Sequence, residues 1–98
     1  MEADYLSTQP TSAQLYGNRA YARMKATPPQ NGAAAEDAKK AVELDPQWGK
    51  GWIRLGDALA AARPDDKAAI REAYTKAVRT LEPGKMKTET EAKLESFK

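Results

Sequence analysis

Two cations that lie one helical turn apart are the residues of this sequence best suited to bind a ligand. Lys50 and Arg54 are four positions apart in the segment WGKGWIRLG, so a helix places both side chains on the same side. An ammonium with three donors and a forked guanidinium can together hold carboxylate oxygens. A plainer interpretation is a solvated surface on which Arg54 pairs loosely with Asp57. The spacing alone leaves both interpretations open.

The composition excludes most catalytic chemistry. The 98 residues contain no cysteine and no histidine, which excludes disulfides, thiol chemistry, the usual zinc ligands and histidine general bases. No carboxylate pair lies in a recognisable active-site pattern. The segment Gly49-Lys50-Gly51 lacks the surrounding frame of a phosphate-binding loop. We therefore expect a protein that is not an enzyme and that uses no cofactor and no metal.

Net charge and hydropathy limit the classes of partner that the chain is expected to bind. Hydrophobic residues make up 41% of the chain and charged residues 31%, which is typical of a soluble helical domain. The net charge of +2 is scattered, without a basic stripe, so we expect no nucleic acid. The first ten residues lack a secretory signal, and the longest apolar run, Ala58 to Ala62, is too short for a bilayer. We expect no membrane partner and a cytoplasmic or nuclear location.

Prolines and glycines divide the chain into segments whose length is typical of paired helices. None of the segments shows the alternation of a strand, and all are rich in good helix formers. The predicted helices are Ser12–Ala26, Ala33–Leu44, Gln47–Ala62, Asp65–Leu81 and a tail from Lys85 to Lys98. In the tail, Thr88 and Glu91 have the spacing of a capping box. Thr90, Leu94 and Phe97 form a thin apolar stripe, which predicts that the tail covers the end of the fold.

The side of WGKGWIRLG opposite the cations is apolar. Trp48, Trp52, Leu55 and Leu59 fall within about 60° of one another on a helix. Aromatic residues at this spacing usually pack inward, so we expect both tryptophans in the core. Gly56 has no side chain, which predicts a close approach by the paired helix.

The chain also contains an internal repeat. Pro10, Pro46 and Pro83 each follow a helical segment, at separations of 36 and 37 residues. The motif Leu44-Asp45-Pro46 recurs as Leu81-Glu82-Pro83. A period in the mid-thirties with two helices per unit is typical of a helical solenoid.

The pattern in the second unit resembles the tetratricopeptide repeat. Trp52-x-x-Leu55-Gly56 opens a helix, and an aromatic, a small residue and a proline follow at Tyr74, Ala77 and Pro83. The first unit matches more weakly, and Arg23 stands where the repeat has an aromatic. The resemblance implies an all-α solenoid of antiparallel helix pairs with a C-terminal capping helix. A single domain would then span residues 1–98, with a remnant helix of a preceding repeat at 1–9, repeats at 12–46 and 47–83, and a final helix at 85–98.

Two segments, LYGNRAYARMK and DPQWGKGWIR, are similar to the chaperone-binding subgroup of this family. Members of that subgroup hold the acidic C-terminal tails of cytosolic heat-shock chaperones through a "carboxylate clamp". The resemblance places Asn18, Lys50 and Arg54 at clamp positions. It also implies a groove lined by Tyr21, Met24, Lys25, Ile53 and Asp57. The clamp is partial, because its other lysine and asparagine come from a preceding repeat that this sequence does not contain.

Two other functions remain open at this stage. The concave face could receive a folded partner or a helix as a structural scaffold, without recognising a carboxylate. The N-terminal open face could instead mediate weak self-association. The sequence favours the acidic-tail adaptor over both.

Overall fold

The chain forms an all-α, tetratricopeptide-like helical solenoid, as the sequence predicts. The computed structural model describes residues 11–97, and in this range it contains five helices and no strand. The helices are α1 (Ser12–Lys25), α2 (Asn31–Leu44), α3 (Gly49–Ala62), α4 (Lys67–Thr80) and α5 (Lys85–Ser96). The predicted remnant helix at residues 1–9 lies outside the described range.

Each helix packs against the next one along the chain, and the first helices of the two pairs also contact each other. Helix α1 packs against α2, α3 against both α2 and α4, and α5 against α4, while α1 also contacts α3. Small side chains allow the helices to approach closely. The buried cluster consists of Ala20, Ala34, Ala35, Ala38 and Ala58, with Met24, Leu55 and Leu59 packed around it.

The N-terminal caps of α1 and α5 both differ from what the sequence predicted. The N-terminus of α1 carries a capping box that was not predicted: the Gln14 amide donates to the Thr11 hydroxyl oxygen, and the Thr11 amide donates to the Gln14 side chain. The capping box predicted at Thr88 and Glu91 is wrong. Helix α5 begins at Lys85, and the Thr88 hydroxyl donates to the Gly84 carbonyl oxygen at 3.1 Å inside the first turn.

Gly56 is the point of close approach between α3 and α4, as predicted. A β-carbon at this position would lie 2.5 Å from Cε1 of the buried Tyr74 ring. No side chain can occupy that space without moving the ring. The glycine is therefore required by packing rather than by backbone conformation.

The two tryptophans differ from the prediction, because neither is fully buried. Trp48 precedes α3, and its ring lies against Gly17 of α1, where a β-carbon would be 2.5 Å from Cη2. The Trp52 indole N–H donates to the Pro46 carbonyl oxygen at 2.8 Å, and Lys76 Nζ lies 4.8 Å from the centroid of that indole. Both rings join elements at the edge of the core, beside a buried cluster of alanines from α1, α2 and α3.

An ion cluster that was not predicted joins α1 to α2. Arg19 donates two hydrogen bonds of 2.8 Å to the Asp37 carboxylate, and Arg23 Nε lies 3.4 Å from the same group. Asp37 is 6% exposed. The hydrogen bonds from Arg19 hold the pKa of Asp37 below its usual value, and the charges of both arginines act in the same direction. Arg23 therefore occupies the aromatic position of the repeat as an ion-pair partner.

The C-terminal helix covers α4, as predicted. Thr90 is buried, Leu94 is half-buried, and the rings of Phe97 and Tyr74 lie 6.0 Å apart between centroids. Arg71 also donates to the Phe97 carbonyl oxygen at 3.1 Å. Within residues 11–97, no helix is long and apolar enough to cross a membrane.

Candidate peptide-binding groove

The contact between Arg54 and Tyr21 joins the two helices that carry the predicted site. Arg54 Cζ lies 4.4 Å from the centroid of the Tyr21 ring, which places the α3 guanidinium over an aromatic face on α1. Asn18 is exposed on α1 one turn before Tyr21, and Lys50 is exposed on α3 one turn before Arg54. The fold therefore brings the helices that carry all three predicted clamp residues side by side.

Tyr21 also accommodates a second cation. Lys25 Nζ lies 5.4 Å from the centroid of its ring, and the Tyr21 side chain remains 46% exposed. Among residues 11–97, no acidic side chain forms an ion pair with Lys25, Lys50 or Arg54. Two cations therefore lie against this ring, and neither is paired with an acidic side chain of residues 11–97.

Helix α5 contributes a second wall to the site, across α3 from Tyr21. A cleft of about 290 Å³ separates α3 from α5. Lys50, Ile53, Arg54 and Asp57 line it from α3, and Met86, Glu89, Thr90 and Lys93 line it from α5. Lys50 and Arg54 thus face a cavity of the size of a few side chains.

Asp57 is engaged by groups other than Arg54. It accepts a hydrogen bond of 2.5 Å from the Tyr74 hydroxyl and one of 3.0 Å from Lys93 Nζ. The loose pairing of Arg54 with Asp57 that the sequence suggested is therefore wrong. Burial foremost, together with the bond to Asp57, holds the pKa of the Tyr74 hydroxyl well above its ordinary value.

The remaining predicted lining residues differ in exposure. Ile53 lines the cleft but is only 7% exposed, so its side chain offers little free surface. Met24 is partly buried and packs against the alanine cluster, which departs from the expectation that it faces the groove. Tyr21, Lys25 and Asp57 lie with the cations, whereas Met24 belongs with the core.

The four α5 residues of the cleft were not identified from the sequence. Met86, Thr90 and Lys93 recur at the i, i+4, i+7 spacing of one helix face, and this was the available signal. The apolar stripe of Thr90, Leu94 and Phe97 instead indicates the neighbouring face of α5, which packs against the fold. A mixed polar face is difficult to distinguish from a solvated one without knowing which helix it meets.

The described residues contain no group of three or more acidic side chains that could hold a metal ion. Beside the carboxylates of Asp57 and Glu89, the site offers cations, an amide and an aromatic ring. Such groups recognise carboxylates by charge-assisted hydrogen bonds.

Comparison with known proteins identifies one informative relative. The chain is 37% identical over 73 residues to the small glutamine-rich tetratricopeptide repeat-containing protein 2 of Mycosarcoma maydis. The match covers 74% of this chain but only 20% of the relative. No protein-family profile matches the sequence, and no solved structure matches it. With the five-helix architecture, this similarity supports the assignment of the chain as a tetratricopeptide-repeat domain.

Proposed function

We propose that the chain is a protein–protein interaction adaptor that binds the acidic C-terminal peptide of a cytosolic heat-shock chaperone. Similarity to a tetratricopeptide-repeat protein supports the coarser part of this proposal, an interaction with another protein. The finer part rests on Asn18, Lys50 and Arg54, which would act as a partial carboxylate clamp. The domain limits 1–98, with repeats at 12–46 and 47–83, remain part of the same proposal.

One observation carries the proposal: two cations of α3 line one cleft and have no acidic partner within residues 11–97. Lys50 and Arg54 both border the 290 Å³ space beside α5. Asp57, the nearest acidic residue on α3, is bonded to Tyr74 and Lys93. A C-terminal aspartate presents two carboxylates within a few ångströms, which an ammonium, a guanidinium and an amide can satisfy together.

Calorimetry with two peptides tests the proposal. One peptide ends in Glu-Glu-Val-Asp with a free carboxylate, and the other has the same sequence with an amidated C-terminus. We expect the free acid to bind at least about tenfold more tightly, since amidation removes one charged acceptor from the clamp. Equal binding of the two peptides would exclude carboxylate recognition.

Substitutions separate the clamp from general electrostatic attraction. Lys50→Ala and Arg54→Ala should each reduce the affinity for the free acid by about ten- to a hundredfold, because each removes a charge-assisted contact. Lys40→Ala, at an exposed lysine of α2, and Arg63→Ala, at an exposed arginine after α3, remove the same charges elsewhere. Similar losses in all four variants would point to a nonspecific response to net charge.

The same variants distinguish the adaptor from a structural scaffold. A scaffold that receives a folded partner or a helix should depend on exposed apolar contacts such as Tyr21 more than on Arg54. Retained partner recruitment by Arg54→Ala, together with loss in Tyr21→Ala, would favour the scaffold.

Self-association is a second candidate, favoured by the exposed apolar surface at the start of α1. Leu15 is 56% exposed, and together with Ser12, Tyr16 and Arg19 it lines a cleft of about 420 Å³. Exposed apolar patches of this kind can bind a second copy. Sedimentation that remains monomeric at high protein concentration would exclude this candidate, and Leu15→Glu is the variant that should abolish any dimer.

A further inference from the structure

We propose that Tyr21 is a positioning residue, which holds the Arg54 guanidinium in the orientation that a ligand carboxylate requires. The inference rests on the proposed function and adds a residue outside the clamp set. Tyr21 lies on α1 and Arg54 on α3, so their contact fixes the guanidinium across two helices. In this proposal the Tyr21 ring contacts Arg54, and Arg54 rather than Tyr21 binds the ligand carboxylate.

The geometry of the contact determines which donors stay available. Arg54 Cζ lies over the Tyr21 ring, 4.4 Å from its centroid, which is within the range of a cation–π contact. Carboxylates bind in the plane of a guanidinium, at its N–H edge. A ring contact therefore competes with a carboxylate for none of these N–H donors, and it restricts the side-chain rotamers that Arg54 can adopt.

The hydrogen bonding of Arg54 leads to the same conclusion. Arg54 Nε is buried and has no hydrogen-bond partner in the described chain. Arg54 also forms no ion pair with an acidic residue of 11–97. Because hydrogen bonds do not orient this guanidinium, the aromatic ring is the contact that orients it.

The exposure of Tyr21 indicates that core packing does not account for the ring. The side chain is 46% exposed, whereas Tyr74, whose ring packs between helices, is 2% exposed. An aromatic ring that is half in solvent and lies beside Arg54 and Lys25 forms part of the cationic surface. Loss of the ring should therefore affect the orientation of Arg54 more than the stability of the fold.

Two substitutions separate ring chemistry from bulk. Tyr21→Phe keeps an aromatic face, and Tyr21→Leu keeps apolar bulk but removes that face. We expect Phe to retain the wild-type preference for the free-acid peptide over the amidated one. Leu should reduce that preference by about three- to tenfold, the range expected for loss of one partly solvated cation–π contact. In an Arg54→Ala background, Tyr21→Leu should cause no further loss.

A measurement without peptide tests the contact itself. The Nε–H resonance of Arg54 in a ¹⁵N-correlated NMR spectrum should show an aromatic ring-current shift in the wild type and in Tyr21→Phe. The shift should disappear in Tyr21→Leu. An unchanged Arg54 resonance in Tyr21→Leu would overturn the stacking.

The outcomes distinguish the two proposals. If the wild type binds the acid and amide peptides equally, the proposed function fails, and the ligand role of Tyr21 fails with it. If the wild type prefers the acid and Tyr21→Leu keeps that full preference, the positioning role alone is overturned. Reduced preference in Leu, retention in Phe and a matching loss of the NMR shift support the inference.

Discussion

Tyr74 and Asp57 join the second helix pair to the groove through a hydrogen bond of 2.5 Å from the tyrosine hydroxyl. The same carboxylate accepts from Lys93 Nζ of α5 at 3.0 Å. Three helices therefore meet at one acidic side chain, which lies one position after Gly56, where the Tyr74 ring packs. Because Asp57 is held by these two donors, it is not available to neutralise Arg54. The network thus joins α3, α4 and α5 beside the cleft and engages Asp57 with donors other than Arg54.

Removal of the Tyr74 hydroxyl should destabilise the fold by about 1 kcal/mol, the net value of a typical intramolecular hydrogen bond. In Tyr74→Phe the ring still packs against Gly56 and Phe97, so only the bond to Asp57 is lost. Urea unfolding followed by circular dichroism measures the difference. Tyr21→Phe is the matched control, because that ring is half exposed, and its free energy of unfolding should change little. Equal values for the two variants would contradict a structural role for the Tyr74 bond.

The raised pKa of Tyr74 predicts a late step in alkaline titration. An unfolded tyrosine has a pKa near 10, whereas burial and Asp57 keep Tyr74 protonated in the native state. The stabilisation is therefore fully present below about pH 10 and is lost as the pH rises above it. Absorbance at about 295 nm should show Tyr74 ionising only as the helices unfold. Tyr74→Phe should remove that step, and its persistence in the variant would assign it to another tyrosine.

Gly56→Ala should destabilise the chain by about 1–3 kcal/mol, the usual cost of overpacking. The added methyl would lie 2.5 Å from the Tyr74 ring, which is itself fixed by Asp57. Gly32→Ala is the matched control, because a β-carbon at that position of α2 would meet no packing neighbour within 4 Å. There the higher helix propensity of alanine should stabilise the fold by up to about 1 kcal/mol. Effects of the same sign in both variants would contradict the packing argument.

The fold was predictable because its signals are local and repeated. The prolines and the motif of leucine, acidic residue and proline recur along the chain, and Gly56 and Tyr74 fit the repeat pattern in the second unit. The Arg19–Asp37 pair has no such signal. Its partners are 18 residues apart on different helices, so their contact depends on the register between α1 and α2, which no helical period defines. Arg23 departs from the repeat pattern in the sequence, but the pattern does not identify Asp37 as its partner.

The candidate site was predictable to the same degree. Lys50 and Arg54 share a helix face, which sequence spacing determines. Tyr21 contacts Arg54 because α1 and α3 lie side by side, and this depends on tertiary packing. The α5 wall of the cleft depends on where the C-terminal helix docks, which the apolar stripe predicts only in part. The sequence thus predicts which residues share a face of one helix, but it does not predict which residues of different helices come into contact.

The Arg19–Asp37 pair should make stability depend on acidic pH. Asp37 has a lowered pKa in the native state and about 3.9 when unfolded, so the native state binds fewer protons. Its contribution is present above about pH 4 and is lost as the pH falls through the lower native pKa. Asp37→Asn keeps the shape but cannot ionise. We therefore expect its thermal midpoint to be lower than that of the wild type at pH 7, with the difference shrinking towards pH 2.

Asp65→Asn provides the control, because Asp65 is exposed in the turn between α3 and α4. It removes the same charge without a partner, so its midpoint should follow the wild type across the whole range. Thermal scans at intervals between about pH 2 and pH 7 measure all three proteins. A constant difference between Asp37→Asn and the wild type would mean that Asp37 stabilises the fold through shape or hydrogen bonding alone. A difference that closes at low pH identifies the charge, paired with Arg19 and Arg23, as the stabilising feature.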